Sequence, residues 1–349
     1  MLPNLMRIAS RLLVYSLLCW LLLVVAPHGL AQTYQGKELV RAELLADANA
    51  VVQGAIEGGA DEIVVSDSHG YMCNIHPDDL VPGVQLRRGQ LKRQWCQAKG
   101  LDGSYDAVVM VGYHAKAGSA DAILAHTWIT GFRDVRVNGE SVPEPSLNGL
   151  LAGAMGIPVI MLTGDDWVIK EASPILGDIA YAQVKKSLGF FKGDHLPIDR
   201  SRKLLRETAA QAVRSASKIA PLKCKLPVTI ELDLSSDARR DPALGARFDD
   251  NVRFTDGPYR GDLALSDFEH VMRNNPDLES PRNGTVAIIA PDYPTAYRKL
   301  HSILGEIYER DIENMIDTVA APKDYKRPDL ERIIGRDYPL NEIGPRRKG

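Results

Sequence analysis

The chain has 349 residues, of which 45% are hydrophobic and 25% charged, so it is long enough for one large domain or two modest ones. Its formal net charge of -3 gives no electrostatic reason to expect a nucleic-acid partner. The short basic stretch at Arg346, Arg347 and Lys348 is too small to change that expectation. Nucleic-acid binding is therefore excluded from the expected functions.

The amino-terminal segment, residues 1–31, has the pattern of a secretory signal peptide. Two arginines precede a long apolar run, and a small-residue pattern that ends at Ala31 resembles a cleavage site. An uncleaved membrane anchor is the alternative, since residues 12–31 approach the roughly 20 residues that span a bilayer. Pro27 interrupts the run and favours cleavage. We expect export to the periplasm or the extracellular space.

Three short apolar runs, each followed by polar residues, predict parallel strands that are covered on both faces. They are residues 62–65, 107–111 and 158–162. Helical periodicity alternates with them at residues 37–58, 146–155, 166–175 and 198–219. This alternation predicts the α/β class, with a layered, mostly parallel sheet and helices on both of its faces.

The pattern changes after Pro221. Residues 228–232 alternate between apolar and polar, residues 285–289 do so less clearly, and a helix is expected near residues 293–310. We read this half as a smaller α+β lobe with a polar insertion. The predicted domains are a signal peptide at 1–31, an α/β metal-site domain at 32–220, the lobe at 221–321 and a polar carboxyl-terminal extension at 322–349.

Metal-binding and acid/base residues follow the predicted strands. In open parallel sheets the ligand site lies beyond the carboxyl ends of the strands, and His69, His114 and Asp165 each come directly after one. Glu144 follows a predicted Asn-Gly hairpin and opens a helix. Two imidazoles and a carboxylate are a ligand set of catalytic zinc, and a further histidine, His126, has the chemistry to move protons.

Simpler interpretations stay open for each of these residues. His69 lies in what reads equally as a polar turn, and His126 as a packed histidine bonded to a backbone carbonyl. Asp165 and Asp166 are suited to cap the following helix. The sequence contains neither a phosphate-loop motif nor a serine nucleophile elbow. Cys73, Cys96 and Cys224 have no zinc-ligand spacing and allow one disulfide at most, if residues 1–31 are removed.

Taken together, these segments resemble the D-aminopeptidase family of binuclear zinc peptidases. The resemblance runs from about Tyr34 to Tyr308 and is densest before Lys170. The segments that carry it, in chain order, are Gly59-Ala60-Asp61-Glu62-Ile63-Val64-Val65-Ser66-Asp67-Ser68-His69-Gly70, Gly112-Tyr113-His114-Ala115, Ala125-His126, Val137-Asn138-Gly139-Glu140 with Glu144, Leu147-Asn148, and Gly164-Asp165-Asp166.

The resemblance implies a site and an activity. It makes His69, His114 and Glu144 zinc ligands and His126 the catalytic histidine. It further implies that an amino-terminal residue, often a D-amino acid, is hydrolysed from short peptides by a zinc-activated water. The family context adds a ring-shaped homo-oligomer, decamer-like in the family, that encloses the sites.

One family feature is missing from this sequence. Members of the family start with a strand that carries an Asp-x-Glu-Gly motif, whose Asp and Glu bind the paired zinc ions, and residues 1–32 do not contain that motif. Three explanations follow: a natural variant that keeps one metal ion, a catalytically impaired or inactive peptide-binding homologue, or a functional protein with a different amino terminus. We expect two zinc ions in the family and one or none here.

Overall fold

The structure is a computed structural model of the full chain. It describes residues 11–16, 34–68, 74–88, 96–98, 100–119, 121–128, 132–190, 192–234, 270–281 and 285–318. In chain order the elements are β1 (Arg11–Ser16), α1 (Tyr34–Gly58), β2 (Glu62–Asp67), β3 (Gln85–Arg87), β4 (Ala107–Tyr113), β5 (Asp134–Val137), β6 (Glu140–Ser141), α2 (Glu144–Ala154), β7 (Val159–Asp165), α3 (Asp166–Leu176), β8 (Ala180–Gly189), β9 (Lys192–His195), α4 (Ile198–Ser215), β10 (Val228–Asp233), β11 (Thr285–Ala290) and α5 (Tyr293–Thr318). Short 3₁₀ turns lie at Pro77–Asp79, Cys96–Ala98 and Ala216–Lys218, and residues 270–274 are helical.

The larger sheet has seven strands in the order β3-β2-β1-β4-β7-β8-β9. All neighbouring pairs are parallel except β8 and β9, which are antiparallel. Parallel neighbours need a connection that crosses the sheet, and α1, α2 and α3 lie in the connections from β1 to β2, from β4 to β7 and from β7 to β8. The predicted α/β class, with a mostly parallel sheet, is confirmed.

Both faces of the larger sheet are buried, which explains the continuous apolar runs in the sequence. Along β4, Val108 and Met110 belong to one hydrophobic cluster, while Val109 and Val111 belong to another. This alternation follows from the two-residue period of a strand. Helices α1 and α4 supply apolar residues to the second cluster, and α2, α3 and α5 supply them to the first.

A second sheet has four antiparallel strands in the order β11-β10-β5-β6. Strands β5 and β6 form the predicted hairpin, and Asn138 and Gly139 at its turn have φ angles of 51° and 88°. Both values suit a tight turn that requires positive φ. Because β5 pairs with β10, the sheet joins chain segments that the sequence divided between the domains at 32–220 and 221–321.

The strand β1 comes from within the segment that reads as a signal peptide. It pairs with β2 on one side and β4 on the other, so it occupies the interior of the larger sheet. Export through residues 1–31 stays a prediction. Among the described helices, none combines the length and apolar character needed to cross a bilayer.

Candidate metal and peptidase site

The carboxyl ends of the strands in the larger sheet bring the predicted site residues to one edge. His114 follows β4 directly, and Asp165 ends the neighbouring strand β7. His69 follows β2 by two positions in sequence but lies outside the described residues. The edge that the strand order predicts for a ligand site is therefore the edge at which His114 is found.

Asp67, the last residue of β2, binds the residues that follow the segment 69–73. Its two carboxylate oxygens accept hydrogen bonds from the backbone amides of Asn74, at 2.5 Å, and Ile75, at 2.9 Å, and from the Asn74 side chain, at 2.9 Å. The described residues on the two sides of residues 69–73 therefore meet at one buried carboxylate.

His114 is buried, and a backbone carbonyl of the next residue sets the orientation of its ring. Nδ1 lies 2.9 Å from the carbonyl oxygen of Ala115. Because a carbonyl only accepts, Nδ1 carries the proton in the neutral ring and Nε2 keeps the lone pair. Nε2 lies 3.6 Å from Oε1 of Glu144. Backbone carbonyls orient metal-binding histidines in this way in many proteins.

Glu144 is the first residue of α2 and is 1% exposed. Its Oε1 accepts a hydrogen bond from the backbone amide of Trp128 at 2.7 Å, and its Oε2 accepts one from Nε2 of Gln97 at 2.6 Å. Burial raises the pKa of Glu144 above its ordinary value, while the charge of His126 and these two donors oppose the rise. A nearby cation would favour the ionised form further.

His126 stacks on His114. The ring centroids are 4.0 Å apart and the ring planes differ by 10°. Nδ1 of His126 lies 2.7 Å from the carbonyl oxygen of Leu124, which leaves Nε2 as the atom that exchanges a proton. The packed-histidine interpretation correctly anticipated the backbone bond, but the ring lies beside the predicted metal ligands.

The three side chains His114, His126 and Glu144 each place a ligand atom within 4.8 Å of the others. Two ligands of a tetrahedral zinc ion, bound at about 2.0–2.1 Å, lie roughly 3.3 Å apart. The His114–Glu144 separation of 3.6 Å fits that value. The nitrogen lone pairs lie in the ring planes, and in two nearly parallel rings they do not point toward one common ion. The stack therefore favours one imidazole as a metal ligand, with the other next to the ion but not bound to it.

Asp165 and Asp166 have structural partners in this part of the fold. Asp165 is the N-cap of α3, and its Oδ1 accepts a hydrogen bond from the Val168 amide at 2.7 Å. Asp166 accepts one from the Ser187 amide at 2.7 Å. The helix-cap interpretation is confirmed for Asp165. Burial raises its pKa to about 6.

No role in the site was assigned to Gln97 or Asn148 from the sequence. Gln97 lies 47 positions before Glu144, in a stretch without a recognisable motif. Asn148 follows Glu144 by four positions, which places the two on the same face of α2, and that spacing was a usable signal. Of the predicted set, the structure brings His114, His126 and Glu144 together.

Comparison with known proteins identifies the family. Residues 21–272 match the family model for D-aminopeptidases. The chain belongs to this family. A D-aminopeptidase of Bacillus subtilis (strain 168) is 31% identical over 191 residues, which cover 55% of this chain and 68% of the relative.

The fold is also that of a solved D-aminopeptidase. The structure is similar to that of the Zn-dependent D-aminopeptidase DppA from Bacillus subtilis, described as a self-compartmentalizing protease. The TM-score is 0.69 at 23% identity, and the match covers 85% of this chain and 98% of the other. Membership in the D-aminopeptidase family confirms the prediction of a peptide hydrolase. The alternative of an inactive peptide-binding homologue receives no support from these comparisons.

Proposed function

We propose that this member of the D-aminopeptidase family is a zinc-dependent aminopeptidase that removes the amino-terminal residue, in particular a D-amino acid, from short peptides. The observation that carries the proposal is the buried His114–Glu144 pair, separated as two ligands of one zinc ion are, with His126 stacked against it. The zinc dependence of the structural relative DppA supports the choice of metal.

His114 and Glu144 would hold the ion, with His69, two positions after the end of β2, as a third ligand. Zinc, when bound, lowers the pKa of water toward about 7 and polarises a carbonyl group. The missing Asp-x-Glu-Gly motif removes two carboxylate ligands of the family's paired ions, so we propose a single zinc ion here.

His126 would move the proton. Its Nδ1 is occupied by the Leu124 carbonyl, so the second nitrogen, Nε2, takes a proton from the attacking water and returns it to the leaving amine. The nearby Glu144 carboxylate stabilises the imidazolium that forms in between. Because backbone carbonyls fix the orientation of both rings, the proton is transferred at Nε2 of His126 in each step.

The test is a metal and activity assay on the purified full chain. We expect about one bound zinc ion per chain and hydrolysis of the para-nitroanilide of D-Ala, lost on chelation and restored by added zinc. The matched substrate is the L-Ala compound, which reports the stereochemical preference. A protein that binds no zinc and hydrolyses neither compound contradicts the proposal.

Assembly into a homo-oligomer is part of the proposal. It is supported by the description of DppA as self-compartmentalizing. A ring that encloses the sites would restrict substrates to short peptides. Light scattering of the full chain tests this directly, and a monomer at micromolar concentration contradicts it.

Export through residues 1–31 rests on the sequence pattern alone, and it has a structural consequence. Cleavage after Ala31 would remove β1, which lies between β2 and β4 in the larger sheet. Amino-terminal sequencing of protein recovered from cells decides the point. A mature chain that begins at Gln32 supports export by cleavage, whereas one that still contains Arg11–Ser16 contradicts it.

A further inference from the structure

Behind Glu144 lies a buried series of hydrogen bonds that reaches helix α5. The Tyr297 hydroxyl on α5 donates to Oδ1 of Asn148 at 2.5 Å, and Nδ2 of Asn148 donates to Oε1 of Gln97 at 2.6 Å. Nε2 of Gln97 then donates to Oε2 of Glu144 at 2.6 Å. All four side chains are at most 4% exposed.

Each bond in this chain fixes the direction of the next one. Because Oδ1 of Asn148 accepts from Tyr297, the amide presents its NH₂ group to Gln97. The oxygen of Gln97 is thereby engaged, so its own NH₂ group is turned toward Glu144. The last member therefore accepts, which a carboxylate oxygen of Glu144 can do.

This series of hydrogen bonds also fixes the orientation of the Glu144 carboxylate. With Oε2 held by Gln97 and Oε1 held by the Trp128 amide, the carboxylate has no free rotation, and Oε1 stays 3.6 Å from Nε2 of His114. A second bond from Nδ2 of Asn148 to the Tyr113 hydroxyl, at 3.1 Å, ties the middle of the chain to the strand that precedes His114. Both metal-binding residues are therefore braced by Asn148.

We propose that Tyr297, Asn148 and Gln97 form a positioning relay that holds the Glu144 carboxyl group in the orientation needed for metal binding, so that α5 controls the zinc affinity of a site on the larger sheet. The proposal rests on the proposed function, since it concerns the same site. Groups that hydrogen-bond to metal-binding side chains commonly change metal affinity by about 10–100-fold when removed.

The structure offers a matched pair of variants. Tyr297→Phe removes the hydroxyl at the start of the relay and keeps the ring. Tyr293→Phe removes a second buried hydroxyl one turn earlier on the same helix, which donates to the backbone carbonyl of Leu147 at 3.0 Å and not to the relay. Both variants lose one buried hydrogen bond between α5 and α2, so a purely structural effect is the same in both.

Zinc affinity of the full chain, measured by competition with a chelator, is the first readout. We expect the dissociation constant to rise by about tenfold in Tyr297→Phe and to stay at the wild-type value in Tyr293→Phe. The second readout is the visible spectrum of the cobalt-substituted protein, because its bands respond to the geometry of the metal ligands. We expect these bands to shift in Tyr297→Phe and to stay unchanged in Tyr293→Phe.

If Tyr297→Phe does not fold, Gln97→Met provides the same test at the other end of the relay, since it keeps the length of the side chain and removes both hydrogen bonds. Zinc binding of equal affinity and equal cobalt spectra in the wild type, Tyr297→Phe and Gln97→Met overturns the relay alone. A wild-type chain that binds neither zinc nor cobalt overturns the proposed function and the relay together.

Discussion

His114 and His126 lie face to face, with ring centroids 4.0 Å apart and planes 10° from parallel. Each ring is turned by a backbone carbonyl at Nδ1, from Ala115 and Leu124 respectively. Two imidazoles held in this way are close enough to take part in the same reaction, yet their nitrogen lone pairs do not point toward one common ion. The stack therefore supports the two roles proposed above, metal binding for His114 and proton transfer for His126.

Replacement of the two histidines one at a time separates these roles. We expect His126→Asn to keep its zinc and to lose turnover by about 10²–10⁴-fold, the usual contribution of a general acid–base group. His114→Asn, the matched control, loses the zinc as well. Metal content after dialysis and the rate of D-Ala para-nitroanilide hydrolysis measure both effects. Loss of zinc from His126→Asn would show that His126 is itself a ligand.

The burial of His301 predicts that the protein loses stability in acid. The ring is fully buried against Trp128 and Tyr297, and burial lowers its pKa to about 3. The unfolded chain, with a pKa near 6.5, therefore binds more protons than the folded chain between these values, and stability falls as the pH drops below about 6.5. At pH 5 the loss from this group is about 2 kcal/mol.

His301→Phe keeps an aromatic ring and removes the titration. We expect the difference in unfolding free energy between pH 7.5 and pH 5 to shrink by about 2 kcal/mol in this variant, measured by urea denaturation. His301→Leu distinguishes the charge from the ring shape, because it shows the same reduction with a lower overall stability. Equal pH dependence in all three proteins would refute this account.

Asp165 has the opposite dependence on pH. Its pKa is raised to about 6 by burial, so the folded chain holds the proton more tightly than the unfolded chain between about pH 4 and 6. Stability from this group is present below that window and is lost as the pH rises through it. The carboxylate also caps α3 through the Val168 amide.

Asp165→Asn keeps a capping oxygen and removes the buried charge. We expect it to raise the free energy of unfolding by about 2 kcal/mol at pH 8 relative to its effect at pH 4.5. Asp165→Ala, which also removes the cap, is destabilised by about 1 kcal/mol more than Asp165→Asn at both pH values. An Asn variant whose effect is the same at both pH values argues against a buried charge.

Gly54 marks a close approach of two helices. A Cβ atom at this position would lie 2.1 Å from the backbone oxygen of Arg206, so α1 and α4 would have to separate. We expect Gly54→Ala to destabilise the protein by about 1–3 kcal/mol in urea denaturation. Gly305→Ala on α5 is the control, because within the described part of the chain nothing outside its own helix lies within 4 Å of a Cβ atom placed there. It gains about 1 kcal/mol from helix propensity, and a similar gain in Gly54→Ala would contradict the close approach.

Several elements could be predicted because their signals are local. The continuous apolar runs of β2, β4 and β7 predicted buried parallel strands, and the Asn138-Gly139 pair predicted the hairpin between β5 and β6. The position of His114 after β4 then predicted the edge of the sheet at which it lies.

The strand β1 could not be recognised from its sequence. Six residues from an apolar run fit a buried strand, a signal peptide and part of a membrane anchor equally well. What distinguishes these structures is whether neighbouring strands pair with the segment, and β2 and β4 begin about 46 and 91 positions later in the chain. The same limit applied to the second sheet, whose strands β5 and β10 are far apart in sequence.

The sequence by itself therefore determined the class of fold, the family and three members of the site, since strand period, turn chemistry and motif order are properties of short segments. Only the tertiary structure decided that His126 stacks on His114, that Gln97 bonds to Glu144 and that Tyr297 bonds to Asn148. These contacts join residues up to 149 positions apart. They depend on how the layers pack, and buried polar groups reveal their partners only after packing has removed water from around them.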